Sequence, residues 1–193
     1  WMIAFSAIVL AGRIPALINS RSSGAAMLAG IEDGAAKLIV ADEARLDAVR
    51  AEGCDLPAIC WDAKASRQDA DDFFALADGA DKSYPKTATE PADVATLFFT
   101  SGTTGRAKAA AISHRAITTG AMNTQMARAA IFQRMADTYQ VDVDTITANL
   151  PQSSSLLVFP LFHVSGCSSL FLVSLAAGAK LVLQRRWSAE NAF

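Results

Sequence analysis

The stretch Thr100-Ser-Gly-Thr-Thr-Gly-Arg-Ala-Lys108 gathers hydroxyls, glycines and a lysine directly behind the apolar, β-branched and aromatic run Ala95-Thr-Leu-Phe-Phe99. Gly102 and Gly105 let backbone N–H groups approach an anion with no Cβ in the way. Thr100, Ser101, Thr103 and Thr104 add hydroxyl donors, and Lys108 adds a mobile positive charge. Such a set grips phosphate. It is not a Walker A loop, which needs four residues between its first glycine and a Gly-Lys-Ser/Thr ending; here two residues separate the glycines and Ala107 precedes the lysine. Ser/Thr/Gly clusters also form ordinary turns, and a lone lysine is commonly solvated, so the local pattern leaves both readings open.

A second group able to do chemistry is His163, in Pro160-Leu-Phe-His-Val-Ser-Gly166, which follows the apolar run Leu156-Leu-Val-Phe159. Open α/β sheets bind ligands outside the carboxyl ends of their strands, which makes His163 a candidate substrate contact. A histidine at a helix start is also often a hydrogen-bonded structural residue, and His114 behind Ser113 has the weaker claim. The acidic residues Asp69, Asp71 and Asp72 have no partner ligand at calcium-loop spacing and read as a solvated face. Cys54, Cys60 and Cys167 form no C-x-x-C, so no metal ligand is assigned to the protein, and the chain reads as reduced and cytoplasmic.

The longer stretch Phe99-Thr-Ser-Gly-Thr-Thr-Gly-Arg-Ala-Lys-Ala-Ala-Ala-Ile-Ser-His-Arg115 resembles the phosphate-loop motif of the adenylate-forming superfamily. That superfamily includes acyl-CoA synthetases, adenylation domains of peptide synthetases and luciferases. Leu161-Phe-His-Val-Ser-Gly166, after Phe159-Pro160, is similar to its later aromatic/histidine motif, and the resemblance follows the run of the chain from Trp1 to Phe193. It implies ATP-dependent activation of a carboxylic acid to an acyl-adenylate with release of pyrophosphate, followed by thioester formation with CoA. It further implies that Thr100, Ser101, Gly102, Thr103, Thr104, Gly105 and Lys108 hold the β- and γ-phosphates, that Mg²⁺ bridges them, and that His163 lies beside the substrate carboxylate. Two positions depart from the family pattern: Ala107 stands where proline is usual and Ala109 where glycine is usual. A freed φ at 107 loosens the loop, and a positive φ at 109 would make its alanine cost about 1 kcal/mol or more.

The elements that must carry these residues read as α/β. Helices are expected over Trp1–Leu10, where apolar residues on nearly every face predict burial, and over residues 24–32, closed by Gly34. A third runs over Glu43–Glu52, capped by Asp42 and presenting Ala44, Leu46, Ala48 and Val49. Strands are expected over Ile14–Ile18, Lys37–Ala41, Leu56–Trp61, Ala95–Phe99, Ala109–Ile112, Leu156–Phe159 and Lys180–Leu183. Continuous rather than alternating apolar strands argue for βαβ units in a layered sheet with helices on both faces. Residues 63–91 read as a polar surface connection with a weak helix near Asp71–Ala77, and Val141–Ser154 as a second polar connection. Ser113 is expected to cap a helix through Tyr139, interrupted near Gly120, with Met122, Met126, Ile131, Phe132 and Met135 as a core stripe rather than an acyl pocket. A buried helix over Leu170–Ala177, closed by Gly178, and a helix start at Ser188 complete the reading.

Composition bounds what such a chain does. With 193 residues, 52% hydrophobic and 19% charged, it can bury a sizeable core. Seventeen basic against 19 acidic residues, with no block of like charge, leave no electrostatic footprint for nucleic acid. The uncharged run Val164–Ala179 falls short of the roughly 20 residues that span a bilayer, and Trp1–Leu10 lacks the basic leader of a signal peptide. A small-molecule carboxylic acid and ATP are the expected partners. Opening on Trp1 and stopping at Phe193, the chain is expected to be part of a large N-terminal AMP-binding domain whose C-terminal lid lies elsewhere, and to be inactive alone. The alternative is a non-catalytic phosphate- or nucleotide-binding fragment that kept the fold.

Overall fold

The computed structural model describes every residue of 1–193 except 65, 66, 82, 84, 86, 101–106, 149, 185, 186, 191 and 193. It divides into two compact units, Trp1–Ser113 and His114–Phe193. The α/β class expected from the sequence is borne out, with the strands distributed over three small sheets.

In the first unit, α1 (Met2–Leu10) leads into β1 (Ala16–Leu17). Only Ala4 and Phe5 of α1 are buried, and Ile3 and Leu10 are exposed, which corrects the expectation of a wholly buried helix. α2 (Gly24–Asp33) is capped by Ser23, whose hydroxyl accepts from the Ala26 N–H at 3.3 Å. Gly24 is required at its start, because a Cβ there would sit 2.3 Å from the Ala48 carbonyl oxygen. β2 (Ile39–Ala41), α3 (Glu43–Arg50) and β3 (Ala58–Cys60) form the βαβ unit read from the sequence, with β2 and β3 parallel in register Ile39↔Ala58 to Ala41↔Cys60. Asp42 caps α3 as expected, accepting from the Arg45 N–H at 2.9 Å. Met27 and Ile31 from α2, Leu46 and Val49 from α3, and Cys54, Ala58 and Cys60 close one apolar core.

The connection after β3 is more ordered than its composition indicates. Asp71 and Asp72 form β4, parallel to β3, and Asp72 then caps α4 (Phe73–Asp78) by accepting from the Ala75 N–H at 2.7 Å. Trp61 packs on Phe73 and Phe74, with ring centroids 4.2 and 5.3 Å away. Asp69, read as part of a solvated face, instead pairs with Arg50 at 3.0 Å and Arg67 at 2.9 Å. Arg67 also reaches Asp47, and Lys64 reaches Glu43 at 2.7 Å, so the connection is tied along α3 by ion pairs. Hydrogen bonding from Lys64 holds the Glu43 carboxyl below its ordinary range, and hydrogen bonding from Arg50 does the same for Asp69. β5 (Val94–Thr100) and β6 (Lys108–Ser113) complete the unit in a sheet of order β1-β5-β6.

In the second unit, α5 (His114–Tyr139) starts directly after Ser113 and runs 26 residues through Gly120 without the expected interruption. One glycine costs a long helix about 1 kcal/mol, which neighbouring turns absorb. Its apolar stripe is not core: Met122, Met126 and Ile131 are 58%, 66% and 60% exposed, Met135 is exposed, and Ala136 is its one buried residue. α6 (Val143–Ala148) occupies the segment read as a polar connection, with Asp142 accepting from the Asp144 N–H at 3.1 Å and Thr145 N–H bonding the Asp142 carbonyl. β7 (Ser154–Leu157) pairs in parallel with β8 (Lys180–Leu183) from Ser154↔Lys180 to Leu157↔Leu183. The strand therefore starts two residues before the apolar run, and Val158 and Phe159 lie beyond it, exposed.

Between β7 and β8 the helical run Val164–Ala176 comprises α7 (Val164–Gly166), a π-helical stretch Cys167–Leu172 and α8 (Val173–Ala176). Cys167, Phe171 and Ser174 form its buried stripe, while Leu175 on another face is exposed, so the helix is half-buried rather than buried all round. Gly178, at φ +61°, closes it as expected. Ser188–Glu190 are not helical.

Candidate nucleotide-phosphate site

The site strand is anchored before it reaches the loop. β1 pairs with β5 in parallel, Ala16↔Leu97 and Leu17↔Phe98, and the Pro15 carbonyl accepts both the Leu97 N–H at 3.0 Å and the Thr96 hydroxyl at 2.9 Å. Thr96 is completely buried, and the second bond satisfies a hydroxyl that would otherwise cost about 1–3 kcal/mol to bury. With Ala95 and Phe98 also buried, β5 is held on both faces, and its apolar composition follows from that. Thr96 escaped the sequence reading because a threonine inside an apolar strand looks like β propensity alone.

β6 returns antiparallel to β5 in the register Thr96↔Ile112, Leu97↔Ala111, Phe98↔Ala110, Phe99↔Ala109 and Thr100↔Lys108. Thr100 and Lys108 are thus the last pair of the ladder, and residues directly opposite in an antiparallel pair share a face. Both are exposed. The Thr100 hydroxyl donates to the Lys108 carbonyl at 3.4 Å, a long and therefore weak bond. The hairpin therefore presents one hydroxyl and one cation at the two feet of the loop. Ser101, Gly102, Thr103, Thr104 and Gly105 lie outside the described residues.

The two departures resolve differently. Ala109 lies in β6 opposite Phe99, and among the described non-glycine residues only Ala35 and Gln140 have positive φ. Alanine at 109 is therefore unstrained, which corrects the expectation of a cost there; glycine would weaken the strand by roughly 0.5–1 kcal/mol. Ala107, exposed and outside both strands, is the position where a fixed φ would act on the loop.

His163 belongs to the second unit, where it is the N-cap of α7 with φ −101° and ψ 147°. Its N–H bonds the Pro160 carbonyl at 3.0 Å and its carbonyl accepts from Cys167 N–H at 2.9 Å, closing a tight turn. Gly166 is buried in that turn, and a Cβ on it would lie 2.2 Å from the Pro160 carbonyl oxygen, so no other residue fits. Nδ1 of His163 lies 2.8 Å from the Ser165 hydroxyl and accepts from the Ser165 N–H at 3.3 Å. The imidazole is exposed. Ser165 was not singled out in the sequence, although a hydroxyl two residues after a candidate N-cap is the available signal. Burial pushes the neighbouring Cys167 thiol up to about 12, which leaves it protonated and inert.

Among the described residues no three His, Cys, Asp or Glu side chains are grouped to hold a metal ion. Asp69 is engaged by Arg50 and Arg67, and Asp72 by the cap of α4.

The sequence profile of the AMP-binding enzyme family matches residues 1–193. The chain belongs to this family. It is 25% identical to a 4-coumarate–CoA ligase of Vanilla planifolia over 193 residues, covering 97% of this chain and 32% of the relative. The solved structure of an ATP-bound RpMatB-BxBclM chimera matches 99% of this chain and 34% of its own at a TM-score of 0.71 and 20% identity. O-succinylbenzoate coenzyme A synthetase (MenE) from Bacillus subtilis, solved with ATP and magnesium ion, matches 98% of this chain and 42% of its own at a TM-score of 0.65 and 21% identity. These structural likenesses show the fold. The chain spans 17–32% of the length of the curated relatives it matches.

Proposed function

We propose that the β5–β6 hairpin holds the phosphates of ATP in a polypeptide that activates a carboxylic acid as its acyl-adenylate and passes the acyl group to CoA. The observation that carries this reading is the terminal ladder pair: Thr100 and Lys108 flank the Ser/Thr/Gly loop on one face, both exposed. Family membership supports it, as do the 4-coumarate–CoA ligase activity named for the vanilla relative and the ATP and magnesium named for the Bacillus structure.

The Thr100 hydroxyl donates to a phosphate oxygen in place of the Lys108 carbonyl, and Lys108 offsets the charge that grows on pyrophosphate as it departs. Ser101, Gly102, Thr103, Thr104 and Gly105 would supply the remaining hydroxyl and backbone donors. His163 would lie beside the carboxylate of the acid. Mg²⁺ would neutralise phosphate charge, and no described residue of this chain is assigned to it. The three cysteines, all free and buried, are consistent with a reducing compartment such as the cytoplasm. No described helix is long and apolar enough to cross a membrane. Since the chain spans a third or less of its curated relatives, the activity is proposed for the longer polypeptide, and turnover is not expected from these 193 residues alone.

Acid-dependent exchange of labelled pyrophosphate into ATP tests the reading in that longer polypeptide. Lys108→Ala should slow exchange by about 1–3 kcal/mol of lost transition-state contact. Exchange that the substitution leaves unchanged removes Lys108 from the site. Nucleotide binding with no exchange for any acid identifies a non-catalytic binding fold instead.

A further inference from the structure

We propose that Ser165 is a positioning residue that fixes the tautomer of His163, so that the neutral ring meets an acidic ligand as a hydrogen-bond donor and not as a base. A backbone N–H can only donate. The Ser165 N–H points its proton at Nδ1, 3.3 Å away, and the Ser165 hydroxyl lies 2.8 Å from the same nitrogen. Nδ1 has one lone pair in the plane of the ring, which the N–H occupies; the hydroxyl, able to donate or accept, can turn its own proton to the same lone pair. A proton on Nδ1 would face the N–H head-on and lose that bond, so in the neutral ring the proton sits on Nε2.

The backbone cannot relax this arrangement. His163 N–H and C=O are committed to Pro160 and Cys167, and Gly166 wedges the turn against the Pro160 carbonyl with no room for a Cβ. The helix start therefore holds Ser165 and the imidazole in one geometry. Among the described residues Nε2 has no hydrogen-bond partner. An Nε2–H donates naturally to a carboxylate oxygen or to the carbonyl oxygen of an acyl group, and it cannot take a proton from an attacking nucleophile.

The role of the ring toward a carboxylate rests on the proposed function; the tautomer does not, and the two are separable. Only His114 and His163 are present, so the protein labelled with ¹⁵N in its imidazoles gives two ring systems, and His114→Gln assigns them. At a pH where the ring is neutral, His163 should show a protonated Nε2 and a hydrogen-bonded, unprotonated Nδ1. Ser165→Ala removes the hydroxyl and keeps the backbone N–H, so the proton should stay on Nε2 while the Nδ1 resonance moves part of the way downfield toward that of a free pyridine-type nitrogen, and Ser165→Thr should restore it. A wild-type ring protonated on Nδ1, or a His163 signature that Ser165→Ala leaves unchanged, overturns the proposal. In the longer polypeptide Ser165→Ala should raise the KM for the acid several-fold with the KM for ATP unchanged. If the spectra behave as expected and that KM does not move, the tautomer stands and the placement of His163 at the carboxylate falls.

Discussion

The α2–α3 layer and helix α5 draw on the same apolar residue types and put them to opposite use. In the layer, Met27, Ile31, Leu46 and Val49 face one another over β2 and β3 and leave water entirely or nearly so. In α5, Met122, Met126, Ile131 and Met135 stay in contact with solvent over 26 residues of continuous helix. α5 packs on α6, the π-helical stretch and α8 through its other face, and local bonds support it along its length. Gln133 donates to Asp137 one turn on at 3.0 Å, the Arg128 guanidinium lies 5.2 Å from the centre of the Phe132 ring, and Gln140, at φ +52°, turns the chain out of the helix. A helical apolar pattern thus establishes that a helix forms, and leaves open what covers it.

The largest expected effect breaks or keeps this contrast. Leu46→Ala should destabilise the protein by about 2–5 kcal/mol, because the side chain is fully enclosed, while Met126→Ala should stay within about 0.5 kcal/mol. Denaturant unfolding of both variants measures the difference, and equal losses would mean that α5 is covered in solution. A smaller effect sharpens the layer's own geometry. Gly34, expected to close α2, has φ −80°, and it is Ala35 that takes the left-handed conformation, at φ +46°. Ala35→Gly should therefore stabilise by about 1 kcal/mol, read as a raised unfolding midpoint; a lowered midpoint would show that the strain is absent.

The smallest effect concerns the ion pairs along α3. Glu43 and Asp69 titrate below their ordinary range in the folded chain, so what they contribute is complete above that range and is lost as the pH falls through their folded values. Stability should fall more steeply below roughly pH 4 in the wild type than in a Glu43→Gln/Asp69→Asn variant. Parallel pH profiles of the two would show that the pairs contribute nothing.

Much of the fold was legible because its signals are local. Asp42 as a cap, Gly178 as a stop, and the short apolar strands each depend on a few neighbouring residues. The candidate loop between β5 and β6 stood out for the same reason, as a set of donors contiguous in the chain. β4 was not, since Asp71 and Asp72 have poor strand propensity and pair only because β3 lies alongside. α6 was hidden by polar composition, although Asp142 marks its start. β7 was misplaced by two residues because its ends follow its partner β8 and not the apolar run.

By itself the sequence determined which candidate donors the chain offers: the hydroxyls, glycines and lysine contiguous over residues 100–108 and, in the other unit, the histidine at 163. Only the tertiary structure decided how they are presented. Antiparallel pairing put Thr100 opposite Lys108, and a hydrogen-bond ladder has a register that no spacing in the chain specifies. Burial decided that Thr96 anchors the strand to Pro15 and that the methionines of α5 do not form a core, because burial depends on what packs against a face. The turn closed by Gly166 decided which nitrogen of His163 accepts a bond, since that requires a backbone N–H placed within 3.3 Å by atoms remote from the ring itself.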